Sequence, residues 1–429
     1  MKKSIIAALA SVLATSPAAA QEPPVKTYIH AGRLLADPAG GRVETEKTIV
    51  VERGRIAEIR DGYVGDGTAI DLRDAFVMPG FIDSHVHLTF ESGPTSQIDA
   101  VTKSTTDQAF DGIVFAGRTV RAGFTTVVDL GADPEAINAL RDATASGKVV
   151  GPRIVAAGGV AAHGGHGDIH GYRQEILDLF RAPTLCSGAD DCVRAVRLAV
   201  QQGADIIKTA STGGVMSNTA AGLGQQMSDA ELVAIVETAH RLGRKVAAHA
   251  HGTDGINAAL RAGVDSVEHG TYLDAESIRL FKAKGSYYVP TLLAGETVSQ
   301  QAEAADWMPD AVRAKARTVG PLMVDALRRA HQGGVRIAFG TDSAVSRHGE
   351  NAREFALMVK AGLTPLDTIR AATVWGAAHV GLEREIGSIA AGKAADIVAV
   401  RGDPLEDVRR LETMRFVMKG GAVVLPAGH

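Results

Sequence analysis

The sequence predicts an α/β chain: a (β/α)8 TIM barrel with a small composite β-sandwich domain contributed by both termini. Three observations predict it. Between about residues 75 and 384, eight short apolar segments alternate with helical stretches. The segments on either side alternate apolar and polar residues in the manner of strands. A chain of 429 residues exceeds one ordinary domain but suits a barrel with an accessory domain.

The chain begins MKKSIIAALASVLATSPAAA, with Lys2 and Lys3, an apolar run Ile5–Leu13 and the small residues Ala18, Ala19 and Ala20. This is the pattern of a secretory signal peptide, residues 1–20, and the run is too short to span a bilayer. The mature chain is therefore expected to be exported, periplasmic or secreted, and no later segment has the apolar length of a membrane helix. Without Lys2 and Lys3, 43 basic residues face 49 acidic ones, a net charge of −6. That balance gives no reason to expect nucleic acid or an anionic membrane as partner.

Residues 21–74 carry TYIHAGRLL and KTIVVERGRIAEIR, with Gly54 at an expected hairpin turn. Residues 385–429 return to the same style in GSIAAGKAADIVAV and MRFVMKGGAVVL. Both ends are expected to build one β-domain, leaving 75–384 for the barrel. Its strands are read as Val77–Asp83, Thr125–Leu130, Arg153–Ala157, Ala204–Thr209, Lys245–His249, Ser266–His269, Tyr287–Leu292 and Arg336–Gly340. Ser228 followed by Glu231 is a capping box opening a helix to Leu242, and Thr364-Pro365 opens another to about Ala378. The only cysteines, Cys186 and Cys192, suit a disulfide in an exported protein, with two unpaired thiols as the other reading.

Gly203–Val215, GADIIKTASTGGV, places Lys208 at the end of a strand beside Ile206 and Ile207. Burial disfavours an ammonium there. One reading is a lysine that snorkels or pairs with a carboxylate. The other is a neutral amine that takes up carbon dioxide as a carbamate able to bridge two metal ions. The other strand ends decide between them. Strand one ends in His85 and His87, two residues apart on one side; strand five gives His249 and His251; strand six gives His269; strand eight gives Asp342. Barrel chemistry sits at the C-terminal ends of the strands, and such a set suits one metal pocket.

These residues lie in PGFIDSHVHL (79–88), GADIIKTASTGG (203–214), VAAHAHG (246–252), DSVEHGT (265–271) and GTDS (340–343), with GSIAAGKAADIVAVRGDPL (387–405) near the end. With them the chain resembles the amidohydrolase superfamily, in the branch related to imidazolonepropionase and prolidase-type Xaa-Pro dipeptidases. It is also similar to ochratoxin-degrading members. The resemblance implies two divalent metal ions, zinc by default. His85, His87 and Asp342 would hold one, His249 and His269 the other, with carboxylated Lys208 bridging. Asp342 would move the proton in amide hydrolysis. His251, as catalytic or substrate-binding group, and His163, His166, Arg347 and His348 are the candidates to orient the substrate. Implied substrates are dipeptides, N-acyl amino acids, and the ochratoxin A amide that releases L-phenylalanine. Members of this branch often form homo-oligomers, up to octamers. A cyclic amidohydrolase that opens a ring is the alternative, and a non-catalytic metal-binding protein a remoter one.

Overall fold

The structure, a computed structural model, describes residues 26–65, 69–218, 222–304 and 307–427; the expected signal peptide lies outside them. Four strands open the chain: β1 (Lys26–Leu34), β2 (Glu44–Glu52), β3 (Arg55–Asp61) and β4 (Ile70–Pro79). At the β2–β3 turn Arg53 and Gly54 both take positive φ, 51° and 77°, as a two-residue hairpin with the twist of its strands requires.

The barrel strands follow: β5 (Phe81–Val86), β6 (Phe124–Asp129) and β7 (Arg153–Gly159), then a short pair outside the barrel, β8 (Ala161–Ala162) and β9 (Leu185–Cys186). The barrel resumes with β10 (Ile206–Ala210), β11 (Val246–Ala250), β12 (Ser266–His269), β13 (Tyr287–Val289) and β14 (Arg336–Ile337). The chain ends in β15 (Ile397–Arg401), β16 (Phe416–Lys419) and β17 (Ala422–Leu425).

The two termini meet in one seven-stranded sheet, ordered β17-β16-β15-β4-β1-β2-β3. Its seam is the antiparallel β4–β15 pair, where Val77 faces Ala399 and Phe76 faces Val400. Strand alternation then divides the side chains between two cores. Ala75, Val77, Ile397, Ala399, Phe416 and Met418 fill the sheet domain's own core. Their neighbours Phe76, Met78, Val398, Val400 and Val417 join the barrel's core. The sheet is thus packed onto the barrel through β4, β15 and β16.

The eight barrel strands run parallel in the order β14-β13-β12-β11-β10-β7-β6-β5. The ring closes irregularly, because β14 is only two residues long. Just beyond it the Ser84 N–H donates to Phe339 O at 2.8 Å, and the Asp342 N–H donates to His85 O at 2.7 Å. At the other end of this seam Ala371 and Ala372 intervene, accepting from the Phe339 and Ile82 N–H groups. That insertion explains why the helix expected to run from Pro365 to about Ala378 is two, Pro365–Ala371 and Val374–Val380.

Two further expectations shift. The strand read as Val77–Asp83 is divided at Gly80: its first half completes β4 of the terminal sheet and its second begins β5. The boundary expected at 74/75 therefore falls inside β4, because an unbroken apolar run conceals the passage between sheets. Gly80 permits the passage, since a Cβ there would sit 2.2 Å from Thr125 Oγ1. Strand seven ends at Val289, not Leu292, because Leu292 already begins the helix Leu292–Ala304. The capping box read at Ser228 and the N-cap read at Thr364 are present. Among the described residues no helix is long and apolar enough to cross a membrane.

Cys186 in β9 and Cys192 in the helix Ala189–Gln201 are joined as a disulfide. It staples the β8–β9 insertion to the barrel's outer layer. Closing so short a loop stabilises the fold by about 2 kcal/mol in the chain-entropy account. Cys186→Ala is expected to lower unfolding free energy by that amount in urea titrations, and the unreduced, unfolded chain to show no free thiol; two free thiols would contradict the bond.

Candidate active site

The C-terminal ends of the barrel strands open into a cavity of about 1040 Å³. His85, His87, Lys208, His249, His251, His269 and Asp342 all line it, and so does His166. On one side the Nε2 atoms of His85 and His87 lie 3.4 and 3.1 Å from Asp342 Oδ1. On the other, His249, His251 and His269 present donor atoms within 4.8 Å of one another. His269 also forms such a group with His85 and Asp342, so it joins the two sides.

The rings are held from behind. His85 Nδ1–H donates to Glu268 Oε2 at 2.9 Å, and His87 Nδ1–H to Gly131 O at 2.8 Å. His269 Nδ1 lies 2.7 Å from the Thr291 hydroxyl and His251 Nδ1 2.8 Å from that of Thr271. Each of these leaves Nε2 for the cavity. His249 is reversed: its Nε2–H donates to Gly213 O at 3.3 Å, leaving Nδ1. This is how metal-ligating histidines are usually oriented. Burial, before any neighbouring charge, holds His85, His249 and His269 well below the ordinary imidazole range, so they are neutral, as ligands must be. Burial pushes Asp342 up, but its neighbours His85, His87, which hydrogen-bonds to it, and Lys208 outweigh burial, and its proton affinity falls below that of an ordinary carboxylate. For Lys208 burial lowers the amine's proton affinity, against Glu268 and Asp342, which raise it. Three imidazoles in one group, and two imidazoles with a carboxylate in the other, form donor sets that fit a divalent cation.

Three backbone positions here are unusual. His269 and Asp342 have φ of 70° and 57°, and Thr291, behind His269, has 49°. Left-handed conformations are uncommon outside glycine and for a β-branched residue are strained.

Not every candidate reaches the cavity. His163 is exposed, its Nδ1 3.0 Å from Ser187 Oγ, because the β8–β9 pair ends just before it and the chain turns outward at Gly164. His348 is buried but away from the cavity wall, stacked on Phe115 at 4.6 Å with Nε2 3.1 Å from Phe90 O. Arg347 is exposed. The chain folds back after Asp342 through Ala344 (φ 129°), and the His348 N–H donates to Glu91 Oε1 at 2.8 Å. His166 does reach the site: its ring centre is 3.9 Å from that of His249, and Nδ1 is 2.8 Å from Ser217 Oγ.

Glu268 was missed by sequence reasoning. Alternation along β12 puts it opposite His269, but the left-handed turn at His269 brings both to the site. Asp83 was missed too. It is fully buried and accepts from Thr341 N and Oγ1, Asn351 Nδ2 and His85 N, tying strand one to the segment that carries Asp342. Their only signal was position beside His269 and His85 in two strand-end motifs.

Residues 76–425 match the model of the amidohydrolase family. The chain belongs to the amidohydrolase family. Ochratoxinase of Aspergillus niger is 32% identical over 424 residues, covering 92% of this chain and 86% of that one. A crystal structure of a Xaa-Pro dipeptidase with bound methionine is 40% identical, with a TM-score of 0.89 over 93% of this chain and 99% of that one. A prolidase complexed with N-methylphosphonate-L-proline is 31% identical, with a TM-score of 0.85 over 94% and 100%. This amidohydrolase is accordingly an enzyme that hydrolyses amide bonds.

Glu268→Gln keeps an acceptor for His85 but removes the charge that fixes its ring. Divalent-cation affinity is expected to fall by roughly 10–100-fold, as for other groups that orient a ligand from behind. Chelator competition on folded wild type and variant measures it; unchanged affinity would leave Glu268 a packing residue.

Proposed function

We propose that this amidohydrolase cleaves the amide of N-acyl amino acids or dipeptides, Xaa-Pro dipeptides and ochratoxin A included, using two divalent cations, zinc by default. The observation that carries the reading is the joint presence, in one cavity, of two ligand groups sharing His269 and of Lys208 beside them. His85, His87 and Asp342 would hold one cation and His249 and His269 the other. Lys208 would bridge them as a carbamate: its neutral amine adds to carbon dioxide and loses a proton. When bound, such cations supply Lewis acidity towards a carbonyl oxygen and towards water.

The chain's own groups do the rest. Asp342, held as carboxylate between His85 and His87, accepts the proton of the attacking water and returns it to the leaving nitrogen. The His251 ring lies nearly parallel to that of His269 with its centre 4.9 Å away. With Nδ1 accepting from Thr271, its Nε2–H is free to donate to the substrate carbonyl. Around this polar floor the cavity wall carries the apolar side chains Phe90, Leu130, Val160, Met216, Val298 and Met323. A space of about 1040 Å³ exceeds what a small dipeptide fills and accommodates an aromatic acyl group. Similarity to ochratoxinase and to Xaa-Pro dipeptidase over more than nine-tenths of the chain supports the same substrate class.

The reading includes export through residues 1–20 and assembly as a homo-oligomer, as large as an octamer. Light scattering of the mature chain at micromolar concentration is expected to exceed the monomer mass; the monomer mass alone would contradict it.

The decisive experiment measures metal content and turnover of N-acyl amino acids, Xaa-Pro dipeptides and a cyclic amide for wild type and Lys208→Arg. Arginine keeps the charge but cannot form the carbamate. Wild type should hydrolyse the linear amides, and the variant should lose most bound metal and at least about 1000-fold in turnover, the scale of a removed principal electrostatic group. A variant with two metals and near-normal turnover would end the bridging role, and preference for the cyclic amide would end the substrate assignment.

A further inference from the structure

An amide whose hydrolysis frees an amino acid carries a carboxylate, and the exposed positions of Arg347 and His163 leave its partner unassigned. Arg181 lines the cavity, and Lys315, whose charge acts on His251, lies on the helix that brings Val319 and Met323 to its wall. Arg181 is already compensated, with Asp168 at 3.4 Å and Asp178 at 3.6 Å. Lys315 is not. It lies half-buried in the helix Asp310–Gln332, and its Nζ donates to Gly214 O at 2.9 Å and Ser217 O at 2.7 Å. An ammonium has three N–H groups, so one remains. Among the described residues no carboxylate lies within ion-pair distance of it and it makes no other hydrogen bond, while its charge acts on His251.

Position points the same way. Val319 and Met323 follow Lys315 at helical spacings of four and eight on one face, and both line the cavity. The carbonyls that hold the ammonium belong to the loop that supplies Gly213 O to His249 and Ser217 Oγ to His166. Burial lowers the proton affinity of Lys315, the expected response of a cation lacking a counter-charge.

We propose that Lys315 binds the free carboxylate of the substrate, setting the amide across the strand ends. This rests on the N-acyl amino acid reading above. The test is calorimetric binding to the mature, metal-replete enzyme of N-benzyl-L-phenylalanine, in which an amine replaces the scissile amide, and of its C-terminal methylamide. Wild type should bind the acid about tenfold or more tighter than the methylamide, the worth of one charge-assisted hydrogen bond. Lys315→Met should bind both within about threefold of each other, with the methylamide as in wild type; Lys315→Arg should keep part of the preference.

A Lys315→Met enzyme that retains the wild-type preference overturns the proposal. So does wild type that binds neither compound or both alike. Equal loss of both ligands in the variant also overturns it, since Lys315 would then act only through the loop at 213–217. Turnover is read separately: a preference retained by wild type that hydrolyses no N-acyl amino acid would fail the reaction while leaving the anchor intact.

Discussion

Desolvation of the histidines at the strand ends is the constraint on which the site depends. The ring centres of His249 and His251 lie 4.5 and 4.9 Å from that of His269, and His85 is 5.2 Å away. Were two such rings protonated, each pair at that separation would repel by about 3 kcal/mol at an effective dielectric of 20. Burial therefore keeps them neutral, and neutral rings are what a cation binds. The same burial lowers the proton affinity of Lys208 towards the free amine that carbamate formation requires. One physical condition thus prepares two kinds of ligand.

That condition needs backbone geometry that regular strands do not provide. His269, Thr291 and Asp342 occupy left-handed conformations, each at a cost of about 1–3 kcal/mol. The surroundings over-determine all three. Tyr288 Oη–H donates to His269 O, and the Gly270 N–H donates to Ala250 O. Glu354, fully buried, accepts from the N–H groups of Leu292 and Leu293 immediately after Thr291. Burial pushes the Glu354 carboxyl up to about 8, against these two donors, which favour its anion. A costly buried acid is kept where it pins the turn behind a ligand. Asp83 does the equivalent work behind Asp342, through Thr341 and Asn351.

These supports mark the limit of what the sequence discloses. His85, His87, His249, His269 and Asp342 were legible because strand ends in a parallel barrel converge, and imidazoles gathered at several of those ends suit little besides a cation. Glu268 and Asp83 were not, since their roles depend on a strand that stops alternating at a left-handed residue. His348 misled because nearness in sequence to Asp342 does not survive the reversal at Ala344. The strand read as Val77–Asp83 failed as a unit for a similar reason. Alternation specifies which face is buried, not which of two cores receives it.

The same contrast bears on specificity. The floor of the cavity comes from strand ends, where side chains are buried and doubly held. Its walls come from elsewhere: Leu185 from the disulfide-stapled insertion, Val215 and Met216 from the loop after β10, and Val298, Val319 and Met323 from two helices outside the barrel. Loops and outer helices tolerate substitution far better than strand ends that share hydrogen bonds. A fixed floor with replaceable walls lets one hydrolytic apparatus serve different acyl groups and amino acids. In this chain those walls are largely apolar, with Arg181 lining them and Lys315 on the helix that carries Val319 and Met323, and of these two cations only Lys315 lacks a carboxylate partner among the described residues. Selectivity for the acyl group then lies with apolar shape, which discriminates weakly, and selectivity for the free acid with one charge, which discriminates strongly.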